Sequence, residues 1–270
     1  MIEVYGQALF DLTGRRVLVT GASRGIGAQL ARGFTAAGAR VALTARSRNA
    51  LRRLATDIEE EGGEAVVIPG DLSTADGCTT AVEEAVAALG GLDVLLHNAG
   101  GPVADEQGVM QLRPVLGTSD DEWAGVLDVN LMGAVRLLRG AHPFLAVSPD
   151  PSVTVMSSVA GLVGVGGMEA YGAAKAAQMS LVRSLGTAWG RSGIRVNALA
   201  PGWVSTDMTS SVHEDQDTSE AVLAGVPQHR WADPSEVVGP ALFLASPAAS
   251  FMTGQTLVID GGLVAHPAIS

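Results

Sequence analysis

Short, almost wholly apolar runs alternate along the chain with longer stretches whose apolar positions recur every three or four residues. Arg16–Thr20, Arg40–Thr44, Ala65–Pro69, Asp93–His97, Ser152–Ser157, Ile194–Leu199 and Thr256–Asp260 are the short runs. Their apolar residues are consecutive rather than alternating, which is the pattern of parallel strands covered on both faces. Between them, Ala28–Ala37, Asn49–Glu61, Asp76–Leu89, Glu122–His142, Tyr171–Arg191 and Pro234–Ala245 carry a helical period. Asp76 and Pro234 are helix-start signals, and Gly38, Gly62 and Gly90 are helix stops. Seven strands with helical crossovers predict an α/β fold of right-handed βαβ units. The expected architecture is one doubly wound, Rossmann-type domain, a seven-stranded parallel sheet with helices on both faces. No repeat, charge block or Pro/Ser-rich linker divides the 270 residues, so a single domain with a core from about 12 to 262 is expected.

Two segments break the alternation, Gly101–Ser119 and Met208–Arg230. Both follow the C-terminal ends of strands, where open α/β sheets bind ligands. The second carries His213, Glu214, Asp215 and Asp217. It reads either as a solvated loop or as a lid over substrate at 208–230.

Composition narrows the function. Hydrophobic residues make up 47%, enough for a large core, while aromatics are only 4% and glycine contributes 34 residues. The net charge of −11 argues against a nucleic-acid partner and opposes steering of an acidic acyl carrier protein. One cysteine, Cys78, forms no intrachain disulfide, and no metal-ligand spacing is present. The long uncharged stretches Pro151–Met168 and Pro240–Ile259 contain too many Gly, Ser, Pro and Thr residues for membrane spans. The opening residues, with Glu3 and Asp11, lack the basic start and apolar run of a signal peptide. A cytoplasmic protein without membrane contact is expected.

The first strand ends in TGASRGIG, Thr20–Gly27, just before a helix. Gly21, Gly25 and Gly27 let backbone approach a pyrophosphate at a helix N-terminus, whose N–H groups and dipole favour an anion. At the end of the second strand, VALTARS places Ala45 where a ribose-binding Asp would stand, and Arg46 follows. Arg46 and Arg24 can converge on a 2′-phosphate, so NADP(H) is expected to be preferred, with NAD(H) also possible. Asp71 and Leu72 follow the third strand as an adenine contact, and Asn98, Ala99 and Gly100 end the fourth.

Of the 17 basic residues, Lys175 alone is lysine, and it lies four residues after Tyr171, one of two tyrosines. Residues i and i+4 share a helix face, so ammonium and phenol can approach each other. A free phenol, with pKa about 10, is a weak base at neutral pH, and a nearby ammonium favours the phenolate. Ser158, thirteen residues before Tyr171, is placed to orient a substrate oxygen, although Ser157 could face the site instead.

TGASRGIG, the NAG of Asn98–Gly100, Asn130 in DVNLMG, SSVAG with Ser158, YGAAK and APGWVSTDM together resemble the short-chain dehydrogenase/reductase family. The likeness runs from about Leu12 to Gly262, including Arg230-Trp231 and the TGQTLVIDGG of Thr253–Gly262. It implies hydride transfer between a nicotinamide and a small carbonyl or secondary-alcohol substrate. Tyr171 would be the general acid or base, and Lys175 would depress its pKa and hold the nicotinamide ribose. Ser158 would polarise the carbonyl, and Asn130 would hold a water linking Lys175 to solvent. Asn130 could alternatively just satisfy buried backbone. The implied cofactor contacts run through Gly21, Ser23, Arg24, Gly25, Ile26 and Gly27, then Arg46, Asp71, Leu72, Asn98, Ala99 and Gly100. Pro201, Gly202, Val204 and Thr206, together with Tyr171 and Lys175, complete them. A homo-oligomer, a tetramer by family expectation, is implied as well. Alternatives are a ketoacyl-thioester reductase of the same family and a non-catalytic dinucleotide-binding regulator on the same fold. His97, His142 and Cys78 read as structural.

Overall fold

A computed structural model describes residues 9–265. Tyr5 and the end of the apolar C-terminal tail, 266–270, lie outside the described residues. Seven strands form one parallel sheet: β1 (Arg16–Thr20), β2 (Arg40–Ala45), β3 (Glu64–Pro69), β4 (Val94–His97), β5 (Ser152–Met156), β6 (Arg195–Pro201) and β7 (Thr256–Ile259). Their order is β3-β2-β1-β4-β5-β6-β7. The order reverses between β1 and β4, which pair through Val17–Val94, Leu18–Leu95 and Val19–Leu96. A crevice therefore opens beyond the C-terminal ends of these two strands.

The consecutive apolar runs serve two cores at once. Val17, Val19, Val41 and Leu43 face the layer of α1 (Gly25–Ala36) and α2 (Arg48–Glu60). Their neighbours Leu18 and Ala42 face the layer of α3 (Ala75–Leu89). Successive strand side chains point to opposite faces, so a strand buried on both sides is mostly apolar, and the polar residues it does hold, such as Thr20 and His97, are buried with it.

The helix from Glu122 to His142 is in fact two helices. α4 (Asp120–Leu127) begins with Ser119, whose Oγ accepts the Glu122 N–H while Glu122 Oε2 accepts that of Ser119. A π turn at Asp128–Met132 then inserts an extra residue before α5 (Gly133–Leu145). α6 spans Glu169–Trp189. The 208–230 segment is largely helical: α7 (Ser210–His213) and α8 (Gln216–Ala224), the latter capped where Asp215 Oδ1 accepts the Thr218 N–H at 2.9 Å. The segment is anchored by the His213 ring 5.0 Å from that of Trp231, and by the Trp231 indole N–H bonded to Ser219 Oγ at 2.8 Å. Pro234 opens a 3₁₀ turn that leads into α9 (Val238–Ala245). Among the described residues, no helix is long and apolar enough to cross a membrane.

Asp93 fixes the start of β4. Its carboxylate accepts the Arg16 N–H and Nε–H at 2.9 Å each, and the Ser148 hydroxyl at 2.7 Å. Despite burial, which acts the other way, these partners pull its carboxyl down to about 2. The folded pKa lies below the unfolded one, so the stabilisation is complete above pH about 4 and is lost as pH falls towards 2. Asp93→Asn is expected to cost about 2 kcal/mol at neutral pH. Urea unfolding should show that gap at pH 7 and a narrower one below pH 4.

Candidate active site

The glycines of the first βα turn are fixed by contact. A Cβ on Gly27 would overlap the Gly21 carbonyl and stand 2.6 Å from Asn98 Nδ2, and one on Gly21 would lie 2.9 Å from Ala99 Cα. Gly21 and Gly25 also hold φ of 65° and 54°, which suits glycine. α1 starts at Gly25 with no side-chain cap and no acidic residue in its first turn, leaving its N–H groups for an anion. Beneath this loop the Thr20 hydroxyl accepts the Asn98 and Ala99 N–H groups at 3.0 Å each, tying β1 to β4 across the crevice. Thr206 packs against the loop, 3.4 Å from the Cβ position of Gly25.

The residues expected to hold a cofactor fall after the C-terminal ends of β1, β2, β3 and β4 and at the end of β6. Leu72 is buried behind β3, while Asp71 is exposed and its carboxyl is lowered, chiefly by the Ser73 N–H and more weakly by Arg46. Arg46 is exposed just after β2. Arg24 does not point freely at the ribose region. It donates to the Gln107 carbonyl at 3.1 Å and the Gly108 carbonyl at 3.4 Å, and lies 3.9 Å from Asp207. β6 delivers Pro201 and Gly202, where a Cβ would come within 2.9 Å of Asp260 Cα.

The acid–base residues converge at the open ends of β4 and β5. Lys175, 2% exposed, donates from Nζ to the Met156 carbonyl at 2.7 Å and sits 5.2 Å from the centroid of the Tyr171 ring. Ser157 spends its hydroxyl on the Lys175 carbonyl at 2.9 Å, so it supports the helix. The Ser158 hydroxyl, which accepts the Ala160 N–H at 3.2 Å, lies beside Tyr171 and favours the phenolate. Burial outweighs it and pushes the Tyr171 phenol up to about 12. Burial likewise lowers Lys175 to about 7. Desolvation acts on both groups here and opposes the lowering of the phenol that a nearby ammonium would bring.

Asn130 is fully buried in the π turn. Its side chain clamps Gly101 in both directions: Nδ2 donates to the Gly101 carbonyl at 2.8 Å, and Oδ1 accepts its N–H at 3.1 Å. The Asn130 carbonyl accepts Gln178 Nε2 at 2.8 Å and faces His97 Nε2 at 3.4 Å. Its polar groups are spent on protein, which favours a backbone-satisfying role. His97 is held neutral, lowered to about 4 by burial and then by Lys175. Gln178 escaped the sequence reading, since a helix glutamine carries no motif, and Thr20 stood out only as the first residue of TGASRGIG. Among the described residues, no His/Cys/Asp/Glu group could hold a metal ion.

The comparisons agree with this architecture. Residues 21–264 match the family model described as enoyl-(acyl carrier protein) reductase. The chain is 32% identical over 255 residues to a gluconate 5-dehydrogenase of Gluconobacter oxydans, covering 94% of this chain and 96% of that one. It is 36% identical over 260 residues to a galactitol 2-dehydrogenase (L-tagatose-forming) of Cereibacter sphaeroides, covering 95% and 97%. The structure of a gluconate 5-dehydrogenase from Burkholderia cenocepacia in complex with NADP and tartrate superposes with a TM-score of 0.90 at 31% identity, covering 97% of this chain and all of that one. Full-length similarity, close superposition and the ordered motifs lead to one conclusion: the chain belongs to the short-chain dehydrogenase/reductase family of oxidoreductases.

Proposed function

We propose that this protein is an NADP(H)-linked oxidoreductase that interconverts a secondary alcohol and a carbonyl on a small polyhydroxylated substrate. The observation that carries the reading is the placement of Tyr171 beside Ser158 and the buried Lys175. The relatives' names, gluconate 5-dehydrogenase and galactitol 2-dehydrogenase, support the substrate class. The NADP in the Burkholderia complex supports the cofactor, as do Ala45 and the exposed Arg46.

The fit to a dinucleotide rests on the cradle that any Cβ at Gly21 or Gly27 would fill, and on the uncapped N–H groups of α1. When bound, the nicotinamide supplies or accepts the hydride. The protein's part is proton transfer and orientation. In reduction, the Tyr171 Oη–H bond breaks and its proton goes to the carbonyl oxygen, which the Ser158 hydroxyl orients. In oxidation the phenolate takes the alcohol proton. Lys175 lies close enough to influence the phenolate, and its amine holds the wall of the site through Met156.

We also propose a homotetramer in which β7 is covered by a second copy. β7 is one of the two edge strands and is only half-buried, and Phe251 just before it is fully exposed. Light scattering should return the mass of four chains, and a monomer mass rejects this assembly. Ala45→Asp should repel the 2′-phosphate and move the kcat/KM preference from NADPH towards NADH, with wild type preferring NADPH. Tyr171→Phe should lower turnover by about 10²–10⁴-fold while NADPH still binds in a fluorescence titration. The same stopped-flow assay should separate the two directions by pH. Oxidation, which needs the phenolate, should climb as pH rises towards the phenol's raised value of about 12, whereas reduction, which needs the protonated phenol, should hold level across the neutral range. Identical pH profiles in both directions contradict this proton path.

A further inference from the structure

Glu169 is the first residue of α6, two positions before Tyr171. Its carboxylate is used unevenly. Oε1 accepts the Gly167 N–H at 3.2 Å, whereas Oε2 is buried and has no partner among the described residues. A carboxylate oxygen removed from water without a donor in exchange is costly, so such a position calls for a donor brought from outside the protein. The nearby donors are already engaged. Arg113 Nη2 bonds the Gly117 carbonyl at 2.5 Å, and Nη1 stands 3.5 Å from Glu122 Oε1. Thr118 donates to the Val115 carbonyl at 3.1 Å and accepts the Trp123 indole N–H at 3.0 Å. Glu169, Arg113, Thr118 and Tyr171 nevertheless line one cleft, two of them from the irregular segment 101–119.

We infer that Glu169 is a specificity-determining residue, whose unpartnered oxygen accepts a hydrogen bond from a substrate hydroxyl near the carbon reacting at Tyr171. The inference rests on the oxidoreductase reading for its placement beside the reacting carbon. Its recognition chemistry stands on Glu169 alone. A site that holds a hydroxyl discriminates strongly against an analogue lacking it, because the protein group is then left unpaired. A simple secondary alcohol leaves Glu169 Oε2 as it is in the free protein, whereas a polyhydroxylated chain supplies its donor.

The test compares wild type with Glu169→Gln and Glu169→Asp, each first checked for folding by thermal unfolding. Glutamine keeps an acceptor for the Gly167 N–H but loses the charge and puts an amide where the second oxygen was. The probes are galactitol as a polyol, gluconate as an aldonate, and 2-butanol as a hydroxyl-poor control. In Glu169→Gln, kcat/KM for at least one polyhydroxylated probe is expected to fall about 10–100-fold, mainly through KM, with a much smaller change for 2-butanol. Calorimetry on the NADP-loaded protein gives a readout independent of turnover, and galactitol or gluconate affinity should fall in parallel. Equal losses on all three substrates, or unchanged polyol and aldonate affinity, overturn the inference and leave Glu169 bonded to a structural water. Failure of wild type to bind either polyhydroxylated probe overturns it as well. Binding that depends on Glu169 but leads to no turnover of any probe refutes the oxidoreductase reading and leaves the assignment of Glu169 standing.

Discussion

Burial of the Lys175 amine is the constraint around which the catalytic half of the molecule is arranged. An ammonium taken out of water needs replacement partners, and the protein offers Nζ a carbonyl, that of Met156 at 2.7 Å. That bond draws the side chain of α6 onto the end of β5, and the Ser157 hydroxyl closes the link from the other side by bonding the Lys175 carbonyl. Gly161 and Gly172 then let the turn after β5 lie directly on α6, since a Cβ at either would meet backbone within 2.7 Å. The phenol of Tyr171 inherits its position from this packing. Burial drives the two pKa values apart, from 10 and 10.5 to about 12 and about 7, so the phenol keeps its proton at neutral pH.

The fold was legible in the sequence because a two-sided parallel sheet writes itself as uninterrupted apolar runs. All seven runs became strands, displaced by two residues or fewer at their ends. What stayed hidden was set by local hydrogen bonding. The Ser119–Glu122 capping box starts α4 two residues before the predicted helix, and the π turn at Asp128–Met132 leaves no mark in a period of 3.6. The segment after β6 carried too many charges and too weak an apolar stripe to read as helix, yet Asp215 caps α8 and Trp231 holds it down.

The site was legible as a set of residues and less so as an arrangement of charges. Lys175, Tyr171 and Ser158 announce themselves by rarity and spacing, and the structure brings them together. Their pKa values depend on how much water the fold excludes, which no spacing encodes. Arg24 was visible as a cation in the phosphate loop, but its bonds to Gln107 and Gly108 join residues more than eighty positions apart. Asn130 carried two readings in the sequence, a water holder and a satisfier of buried backbone, and its side-chain amide bonds the Gly101 and Val126 carbonyls.

The interlock of Gly21, Gly27 and Asn98 has an evolutionary corollary. Gly27 and the Gly21 carbonyl are backbone against backbone, so the curvature of the cradle cannot be tuned by exchanging side chains. Small adjustments of the kind that drift supplies, such as one methyl group gained or lost, are closed off there. The residues proposed to choose the dinucleotide lie instead at the rim, where Arg24 and Arg46 are exposed and Ala45 is half-buried. On that proposal the molecule separates a rigid grip from an editable address, and the second can change hands without disturbing the first.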